Sequence, residues 1–278
     1  MITDSQTNFV YLADTLPKKY PEFAKVLMEA FKKQEIDFDF LPHTIDVWAV
    51  DYMPVQVSKN KFVQFSYTPD YLMNKKYRNT ISDVSLICKS LKLETVKSSL
   101  VIDGGNVVQG ENYAILTEKI YEENKRLSES QLDSQLMNLL ETDKLIIIPW
   151  DQDDWLGHSD GAVRRVSKTH VLINDIKNKK NKDHQNLISS LENNDFTWEY
   201  LASDYCDNSH KDDATGLYLN YLETENHLFV PIYNKEKDKE ALSKLAMCFP
   251  TKTIVPVLAN DIAKSTGVIN CATWNVWK

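Results

Sequence analysis

One order of elements recurs about five times along these 278 residues. Two apolar runs around a polar turn come first, then a segment with apolar residues at three- and four-residue spacing, then one short apolar run. The three- and four-residue spacing predicts helices in YPEFAKVLMEAFKKQ, SDVSLICKSLK, SESQLDSQLMNLLETD, DHQNLISSLENN and KDKEALSKLAMCF. Three of these segments begin with Ser or Asp, which suits a helix N-cap. Each unit is therefore expected to hold a hairpin, a helix and a further strand, in about fifty to sixty residues.

The apolar runs around these helices predict the strands. Single strands follow the helices, at FDFLP, SSLVIDG, LIIIPW, FTWEYLA and TIVPVLA. Hairpins are expected at MPVQVSKNKFVQFSY, NVVQGENYAILTE, AVRRVSKTHVLIN and LYLNYLETENHLFVPIY. A fifth hairpin would join GVINCATWN to NFVYLAD and close a ring. A doubly wound parallel sheet alternates single strands with helices, so this order argues against that fold.

The fold class that fits this order is α/β, and its architecture is a five-bladed pseudo-symmetric α/β propeller. It is built from ββαβ-type repeats around a central channel. The repeat runs through the whole sequence, so residues 1–278 are expected to form a single domain. In a radial arrangement, equivalent points of all units face the central channel, and residues far apart in sequence can form one site there.

Charge and hydropathy exclude several classes of partner. The net charge is −8 and the isoelectric point is about 5.3, so neither nucleic acid nor an anionic membrane surface is expected as a partner. The basic stretch NDIKNKKNKDH is interpreted as a solvated surface loop. No apolar stretch approaches the length of a membrane span, and the first residues lack a secretory signal. The expected compartment is the cytoplasm.

Four scattered cysteines, Cys88, Cys206, Cys248 and Cys271, show no CxxC spacing. A zinc site therefore has no support, and a disulfide framework is not expected in so large a chain. Cys88 and Cys248 lie on the apolar stripes of predicted helices, which favours packing, and Cys206 lies in a polar loop. Cys271 taken alone also favours packing, because a free cysteine behaves as a small hydrophobe.

The short turns near the start of each predicted hairpin carry polar or nucleophilic residues. In chain order these are Asp51, Asp103, His158 with Asp160, Asn220, and Cys271. Taken singly, Asp103 and Asp160 precede glycine, as in common turns, and a lone histidine is more often structural. Asp51 has apolar neighbours, and a buried charge needs a partner. The carboxylates, the histidine and the thiol lie at the same position within their repeat units, and this favours a single site formed by all of them.

This set of residues suits a particular chemistry. A thiolate at Cys271 would be a strong nucleophile, and His158 could act as base and then as acid for a leaving amine. Two facing carboxylates repel each other unless a cation lies between them. A guanidinium is planar and cationic, and its N–H groups match carboxylates in bidentate fashion. Asp51 and Asp160 would thus hold a guanidinium while Cys271 attacks its central carbon.

The motifs WxxDYMP, DGGN, GHSDG, GxYxN and INC occur in this order. They resemble the agmatine deiminase and Porphyromonas-type peptidylarginine deiminase family, guanidino-group-modifying enzymes of the five-fold pentein fold. The resemblance extends from Asp51 to the C-terminus. It implies Cys271 as nucleophile, His158 as general acid and base, and Asp51 and Asp160 as the residues that hold the guanidinium.

The resemblance further implies that Asp103 orients the histidine and contacts substrate, and that Asn220 lies near the substrate pocket. Val50 and Asp103 stand where the family usually has arginine and glutamate. The implied reaction converts agmatine to N-carbamoylputrescine and ammonia through a covalent thiouronium intermediate, without metal or organic cofactor. A peptidyl- or free-arginine deiminase, or another guanidine-modifying enzyme, would use the same site.

Three questions stay open at the level of sequence. A propeller that serves only as a non-catalytic binding module is the alternative from another class. Arg164 and Arg165 follow the GHSDG turn, but strand residues alternate between faces, so a role in binding a substrate carboxylate stays open. The sequence also leaves open whether the protein forms a homo-oligomer.

Overall fold

A computed structural model describes residues 1–151, 154–205, 208, 210 and 212–278. Within this part of the chain the strands group into five three-stranded sheets. The strands are β1 Phe9–Ala13, β2 Asp37–Leu41, β3 Val55–Ser58, β4 Lys61–Ser66, β5 Val96–Val101, β6 Val108–Gln109, β7 Tyr113–Thr117, β8 Lys144–Ile148, β9 Val163–Ser167, β10 His170–Asn174, β11 Thr197–Leu201, β12 Leu222–Glu223, β13 His227–Ile232, β14 Thr253–Leu258 and β15 Thr273–Val276.

Every sheet repeats one arrangement. A middle strand pairs antiparallel with an entry strand on one side and parallel with a return strand on the other. In that order the sheets are β15-β1-β2, β3-β4-β5, β6-β7-β8, β9-β10-β11 and β12-β13-β14. A parallel pair needs a crossover connection, and a helix provides it in each sheet. The ββαβ-type repeat predicted from the sequence is confirmed.

The helices in the described part are α1 Leu16–Lys19, α2 Pro21–Lys33, α3 Ala49–Tyr52, α4 Val84–Ser90, α5 Lys119–Glu123, α6 Glu129–Leu140, α7 Lys182–Glu192 and α8 Lys237–Cys248. The five predicted helices are α2, α4, α6, α7 and α8, which connect middle strands to return strands. Each packs by its apolar stripe. In α2, for example, Phe23, Leu27 and Phe31 lie one turn apart and are buried.

The predicted N-caps are confirmed in two helices and wrong in one. Asp83 accepts a hydrogen bond from the backbone N–H of Leu86 at the start of α4. Ser128 and Gln131 form a capping box at the start of α6. In α7 the N-cap is Asn181 rather than Asp183, because the helix begins one residue before the DHQ segment. Either side chain is a good cap, so the sequence pattern alone does not decide between the two positions.

The first and last strands of the fold close the ring. β15 pairs antiparallel with β1 in a register that runs from Phe9 opposite Val276 to Leu12 opposite Thr273. Trp274 stacks on Tyr11, its cross-strand partner, with ring centroids 5.3 Å apart. The predicted pairing of GVINCATWN with NFVYLAD is therefore confirmed. Cys271 lies in the turn before β15, as the sequence predicts, and the strand begins at Thr273.

The middle strands form the centre of each hydrophobic core. Val10, Val63, Ile115, Leu172 and Phe229, one from each middle strand, have no exposed surface. Burial of a side chain of this size stabilises the fold by about 1.5–3 kcal/mol relative to the exposed state. Strands covered on both sides read as continuous apolar runs, which is why these segments stood out in the sequence.

The turns that precede the entry strands lie at equivalent points of the five units. They carry the polar residues that shared one phase of the sequence repeat. No helix in the described ranges is both long and apolar enough to cross a membrane. Cys206 falls outside the described residues. The other three cysteines are free thiols.

Candidate active site

The six residues singled out in the sequence are all buried at these turns. Their exposed fractions lie between 1% for Asn220 and 7% for Asp103 and Cys271. Asp51 lies in the single-turn helix α3, and Asp103 and His158 each lie just before a 3₁₀ turn, at Gly104–Asn106 and Ser159–Gly161. The structure brings Asp51, Asp103 and His158 into direct proximity, and it brings Asn220 against Cys271.

His158 lies between two carboxylates. Its Nε2 is 2.9 Å from Asp103 Oδ2, and its Nδ1 is 3.5 Å from Asp51 Oδ1. Burial disfavours the imidazolium, but the negative charge of Asp51 and the hydrogen bond to Asp103 outweigh it and raise the pKa of His158 to about 10. The imidazole is therefore protonated at neutral pH, and it can deliver a proton to a leaving group.

Asn220 holds the turn that carries the thiol. Its Oδ1 accepts hydrogen bonds from the backbone N–H groups of Val268, at 3.1 Å, and Cys271, at 3.2 Å. Its Nδ2 donates to Cys271 Sγ at 3.1 Å. One side chain thus fixes the loop and supplies a donor that would stabilise a thiolate.

The surroundings of the thiol nevertheless disfavour its ionisation. Burial raises the pKa of Cys271 well above its usual value, and the charges of Asp160 and Asp51 raise it further. The Asn220 donor acts in the opposite direction but does not compensate. A cation bound among these carboxylates would reverse this balance, because it would offset their charge and stabilise the thiolate.

Asp160 faces the same space from the third turn. Asn270 Nδ2 donates to its Oδ2 at 2.6 Å. Burial raises the pKa of Asp160, and His158 and Arg164 act in the opposite direction. Asn270 precedes the nucleophile candidate in sequence, so this hydrogen bond joins the fifth turn to the third.

Two buried carboxylate oxygens lack donors. Among the described residues, Asp51 Oδ1 and Asp103 Oδ1 have no hydrogen-bond partner, since 3.5 Å to His158 is too long for one. A buried polar atom without a partner costs about 1–3 kcal/mol, and more when it is charged. Three buried carboxylates surround one imidazolium here, so the site is arranged for a cation that donates several hydrogen bonds.

Asn106 and Thr117 explain why the GHSDG turn lies where it does. Asn106 Oδ1 accepts hydrogen bonds from the backbone N–H groups of Ser159, at 3.2 Å, and Thr117, at 2.9 Å. Thr117 Oγ1 donates to the carbonyl of Gly157 at 2.6 Å. Gly157 has φ +65°, and a Cβ there would lie 2.8 Å from Trp150 Nε1. The DGGN motif therefore positions the next turn and with it His158.

Two cavities meet at Cys271. The histidine cavity, of about 480 Å³, is lined by His158, Asp160, Asn220 and Cys271 among others. The aromatic cavity, of about 320 Å³, is lined by Trp48, Asp51, Tyr67, Tyr71, Trp155 and Cys271 among others. Both volumes suit a small ligand. In the described part of the chain, no group of three His, Cys, Asp or Glu side chains is arranged to hold a metal ion.

Comparison with known proteins decides the family. The sequence model of the Porphyromonas-type peptidyl-arginine deiminase family matches residues 2–276. The chain belongs to this family. A Photobacterium profundum protein named as a candidate agmatine deiminase is 23% identical over 324 aligned positions, which cover 99% of this chain and 88% of that protein.

Solved structures share the fold of this deiminase family member. C. jejuni agmatine deiminase has a TM-score of 0.78 at 21% identity, and the match covers 100% of this chain and 95% of that chain. A cysteine-to-serine variant of the C. jejuni enzyme, with substrate bound, has a TM-score of 0.79 at 20% identity, covering 100% and 96%. The five-bladed α/β propeller predicted from the sequence, the pentein fold, is confirmed by these neighbours.

Sequence reasoning missed two asparagines that position this deiminase site. Asn106 and Asn270 lie inside the quoted motifs DGGN and INC but were not singled out. Their neighbours Asp103 and Cys271 drew attention because a carboxylate and a thiol can do chemistry, whereas an amide reads as a turn residue. Only the fold shows that each amide bonds to a different turn.

Gly105 allows the second turn to approach the site closely, and this predicts a sharp effect of Gly105→Ala. A Cβ at this position would lie 2.5 Å from Asp51 Oδ1 and 2.8 Å from His158 Nδ1. Displacement of these groups by a fraction of an ångström to one ångström is expected to slow ammonia release by about 100-fold. Initial rates with agmatine, together with the Tm, check this.

Gly161→Ala is the matched steric control, because apart from its chain neighbours no atom lies within 4 Å of a Cβ placed there, at the wall of the histidine cavity. It is expected to keep its rate within about threefold of the wild-type protein. If Gly105→Ala turned over as fast as Gly161→Ala, the close contact among Asp51, Gly105 and His158 would not matter for the reaction.

Proposed function

We propose that this protein hydrolyses a guanidino group, with agmatine as substrate and N-carbamoylputrescine and ammonia as products. The observation that carries this proposal is the donor-free Oδ1 of Asp51 beside the imidazolium, in a cavity that the buried thiol of Cys271 also lines. A guanidinium supplies both the positive charge and several N–H donors in one plane. Family membership over residues 2–276 supports the same reaction class.

The first half of the reaction uses Asp51, Asp160, Cys271 and His158. The guanidinium binds between the two carboxylates, and its charge allows the Cys271 thiol to release its proton to solvent. The thiolate then attacks the central guanidinium carbon and forms a C–S bond. His158 donates its proton to one amino group, the C–N bond breaks, and ammonia leaves. The remaining intermediate is a cationic S-alkylthiouronium on Cys271.

The second half restores the thiolate. His158, now neutral, takes a proton from water while the water oxygen attacks the thiouronium carbon. The C–S bond breaks, its electron pair returns to sulfur, and the product leaves as a neutral ureido group after losing one proton to solvent. In this scheme Asp103 orients His158, and Asn220 donates to the sulfur each time it carries negative charge.

The lining of the cavities favours agmatine over arginine. Among the described lining residues there is no arginine and a single lysine, Lys264, whose Nζ lies 2.6 Å from Asp213 Oδ2. Carboxylates are frequent in the same linings, at Asp46, Asp151, Asp154, Asp183 and Asp212. Such a surface attracts the terminal ammonium of agmatine and repels the α-carboxylate of arginine.

Arg164 and Arg165 do not change this conclusion. Arg164 pairs with Asp4 at 2.9 Å and lies over the ring of Tyr221, and Arg165 donates to Ser5 Oγ. Neither residue lines the histidine cavity or the aromatic cavity. We therefore expect kcat/KM for agmatine to exceed that for free arginine by at least about 100-fold, a preference of roughly 3 kcal/mol.

The test is ammonia release by the purified protein offered agmatine, free arginine and a blocked arginine peptide in parallel, with Cys271→Ser as blank. Release from agmatine alone supports the proposal. Preferred release from arginine or the peptide would make the protein an arginine or peptidyl-arginine deiminase. Folded protein that releases no ammonia from any of them would favour a binding module.

Two further assignments belong to this proposal. Closure of the ring by β1 and β15 supports treating residues 1–278 as one domain. A nucleophilic thiol works only while it stays reduced, and this favours the cytoplasm as the compartment.

A further inference from the structure

Tyr71 makes a contact that the mechanism above does not use. It lies in the 3₁₀ turn Asp70–Leu72, within the long connection between β4 and α4. Its hydroxyl donates to Asp103 Oδ2 at 2.6 Å. The same oxygen lies 2.9 Å from His158 Nε2. A tyrosine from another unit of the propeller therefore shares one carboxylate oxygen with the imidazole.

Lys119 and Trp155 hold Tyr71 in this position. The Tyr71 ring meets Trp155 edge to face, with centroids 5.2 Å apart. Lys119 Nζ lies 4.6 Å from the centre of the Tyr71 ring and donates to the backbone carbonyl of Trp155 at 2.9 Å. It also lies 3.2 Å from a carboxylate oxygen of Asp70, the residue before Tyr71. Lys119 is only 3% exposed, so its contacts with the Tyr71 ring and the Trp155 carbonyl are largely shielded from water, whereas Asp70 is exposed.

We propose that Tyr71 is a positioning residue for the deimination reaction and that it acts through Asp103 on His158. Its hydroxyl fixes the Asp103 carboxylate with Oδ2 towards the imidazole. Oδ2 of Asp103 accepts two hydrogen bonds, one from Tyr71 and one from His158. It therefore binds the imidazolium less tightly than it would if His158 were its only donor. His158 can then both give up and regain its proton.

The titration of His158 is the direct readout of this role. The charge of His158 is affected by Asp51, Asp103 and Asp160 from the neighbouring turns and by Asp154 from its own loop. The thiol of Cys271 lines the same cavity. Lys119 and Glu123 lie behind Asp103. Tyr71→Phe keeps the ring and its packing and removes only the donor. Asp103 Oδ2 would then interact with His158 alone, so the pKa of His158 would move above its value of about 10.

The expected result for Tyr71→Phe is a 10- to 100-fold lower kcat, the effect of losing one hydrogen bond to a charged group, with KM changed by less than about twofold. The alkaline limb of the kcat/KM profile is expected to move to higher pH. Tyr113→Phe is the matched control. Tyr113 is a buried tyrosine whose ring packs on Phe196 and whose hydroxyl has no hydrogen-bond partner among the described residues. It should leave both kcat and the profile unchanged.

A second readout does not require turnover, and this matters because the kinetic readout rests on the proposed function. The rate of Cys271 alkylation by chloroacetamidine, a cationic amidine, is measured against pH in the wild-type protein and both variants. The 15N shift of His158 Nε2, assigned by its loss in His158→Asn, is followed over the same range. If the wild-type protein turns over no guanidine but the histidine titration moves in Tyr71→Phe alone, the proposed function fails, while the action of Tyr71 on His158 through Asp103 stands.

The role of Tyr71 is overturned by either of two results. One is a Tyr71→Phe protein with the same kcat, alkylation profile and His158 titration as Tyr113→Phe. The other is a loss of activity in Tyr71→Phe with no change in the titration of His158, which would show that the Tyr71 hydroxyl does not act through Asp103 on His158.

Discussion

Cys271→Ser is expected to release ammonia from agmatine at least about 10⁴-fold more slowly than the wild-type protein, a loss of roughly 5 kcal/mol of transition-state stabilisation. The hydroxyl of serine ionises far less readily than a thiol. The two carboxylates that act on this position, Asp51 and Asp160, would oppose an alkoxide even more than they oppose a thiolate. Initial rates at substrate saturation and the Tm of both proteins measure the effect.

Cys248→Ser is the matched control for this variant. Cys248 is a free, partly buried thiol at the end of α8, and it lines neither the histidine cavity nor the aromatic cavity. It should keep the wild-type rate. If Cys271→Ser kept more than about a tenth of the wild-type rate, another group would have to be the nucleophile and the covalent scheme would be wrong.

Asp51→Asn is expected to change activity and stability in opposite directions. Asparagine has the shape of aspartate but no charge, so the guanidinium loses one of its two carboxylate partners. The expected fall in kcat/KM for agmatine is about 10³-fold, comparable to the loss of a major electrostatic contact in other active sites. The same substitution is expected to raise the Tm.

The sign of the stability effect follows from the pKa of Asp51. Burial and the nearby charges of Asp103 and Asp160 raise this pKa well above its usual value, although His158 acts in the opposite direction. A carboxyl group whose pKa is higher in the folded than in the unfolded state destabilises the fold once the pH exceeds its unfolded pKa. A neutral side chain removes this cost, so the gain should vanish in acid and grow towards neutral pH.

Asp238→Asn is the control, because it is expected to affect stability but not activity. Asp238 is also a buried aspartate, but its oxygens accept hydrogen bonds from Tyr218, Tyr233 and Lys235. Its replacement should lower the Tm and leave kcat/KM near the wild-type value. If Asp51→Asn also lowered the Tm while activity persisted, Asp51 would be a structural residue and not part of a substrate clamp.

Much of this fold could be predicted from sequence because its repeat is built from strongly patterned elements. Middle strands are covered on both faces and read as apolar runs, and the crossover helices show a regular apolar stripe. The shared phase of Asp51, Asp103, His158 and Cys271 was visible once the units were aligned. Even the pairing of β1 with β15 followed from counting hairpins, since one unit lacked a partner strand nearby.

Other parts of the site could not be predicted. Tyr71 lies in a connection of irregular backbone with two 3₁₀ turns, where no periodicity links a residue to a place in the fold. Lys119 looks like any surface lysine in sequence, and only tertiary packing buries it under Tyr71 and Trp150. The run GVINCATWN was expected to supply the strand that closes the ring, and its apolar residues concealed that the strand begins only at Thr273.

Closure of the ring by β1 and β15 also has a consequence for how the protein matures. During synthesis β1 emerges first and can pair with β2, but its other edge stays open until β15 has left the ribosome. Contacts between such distant parts of a chain form slowly. The turn with Cys271 leads directly into β15, so a nascent chain with four finished blades has no assembled site. The Cys271 thiol joins Asn220, the carboxylates and the imidazole in one site only when the last blade closes. The protein therefore becomes able to catalyse only when its fold is complete.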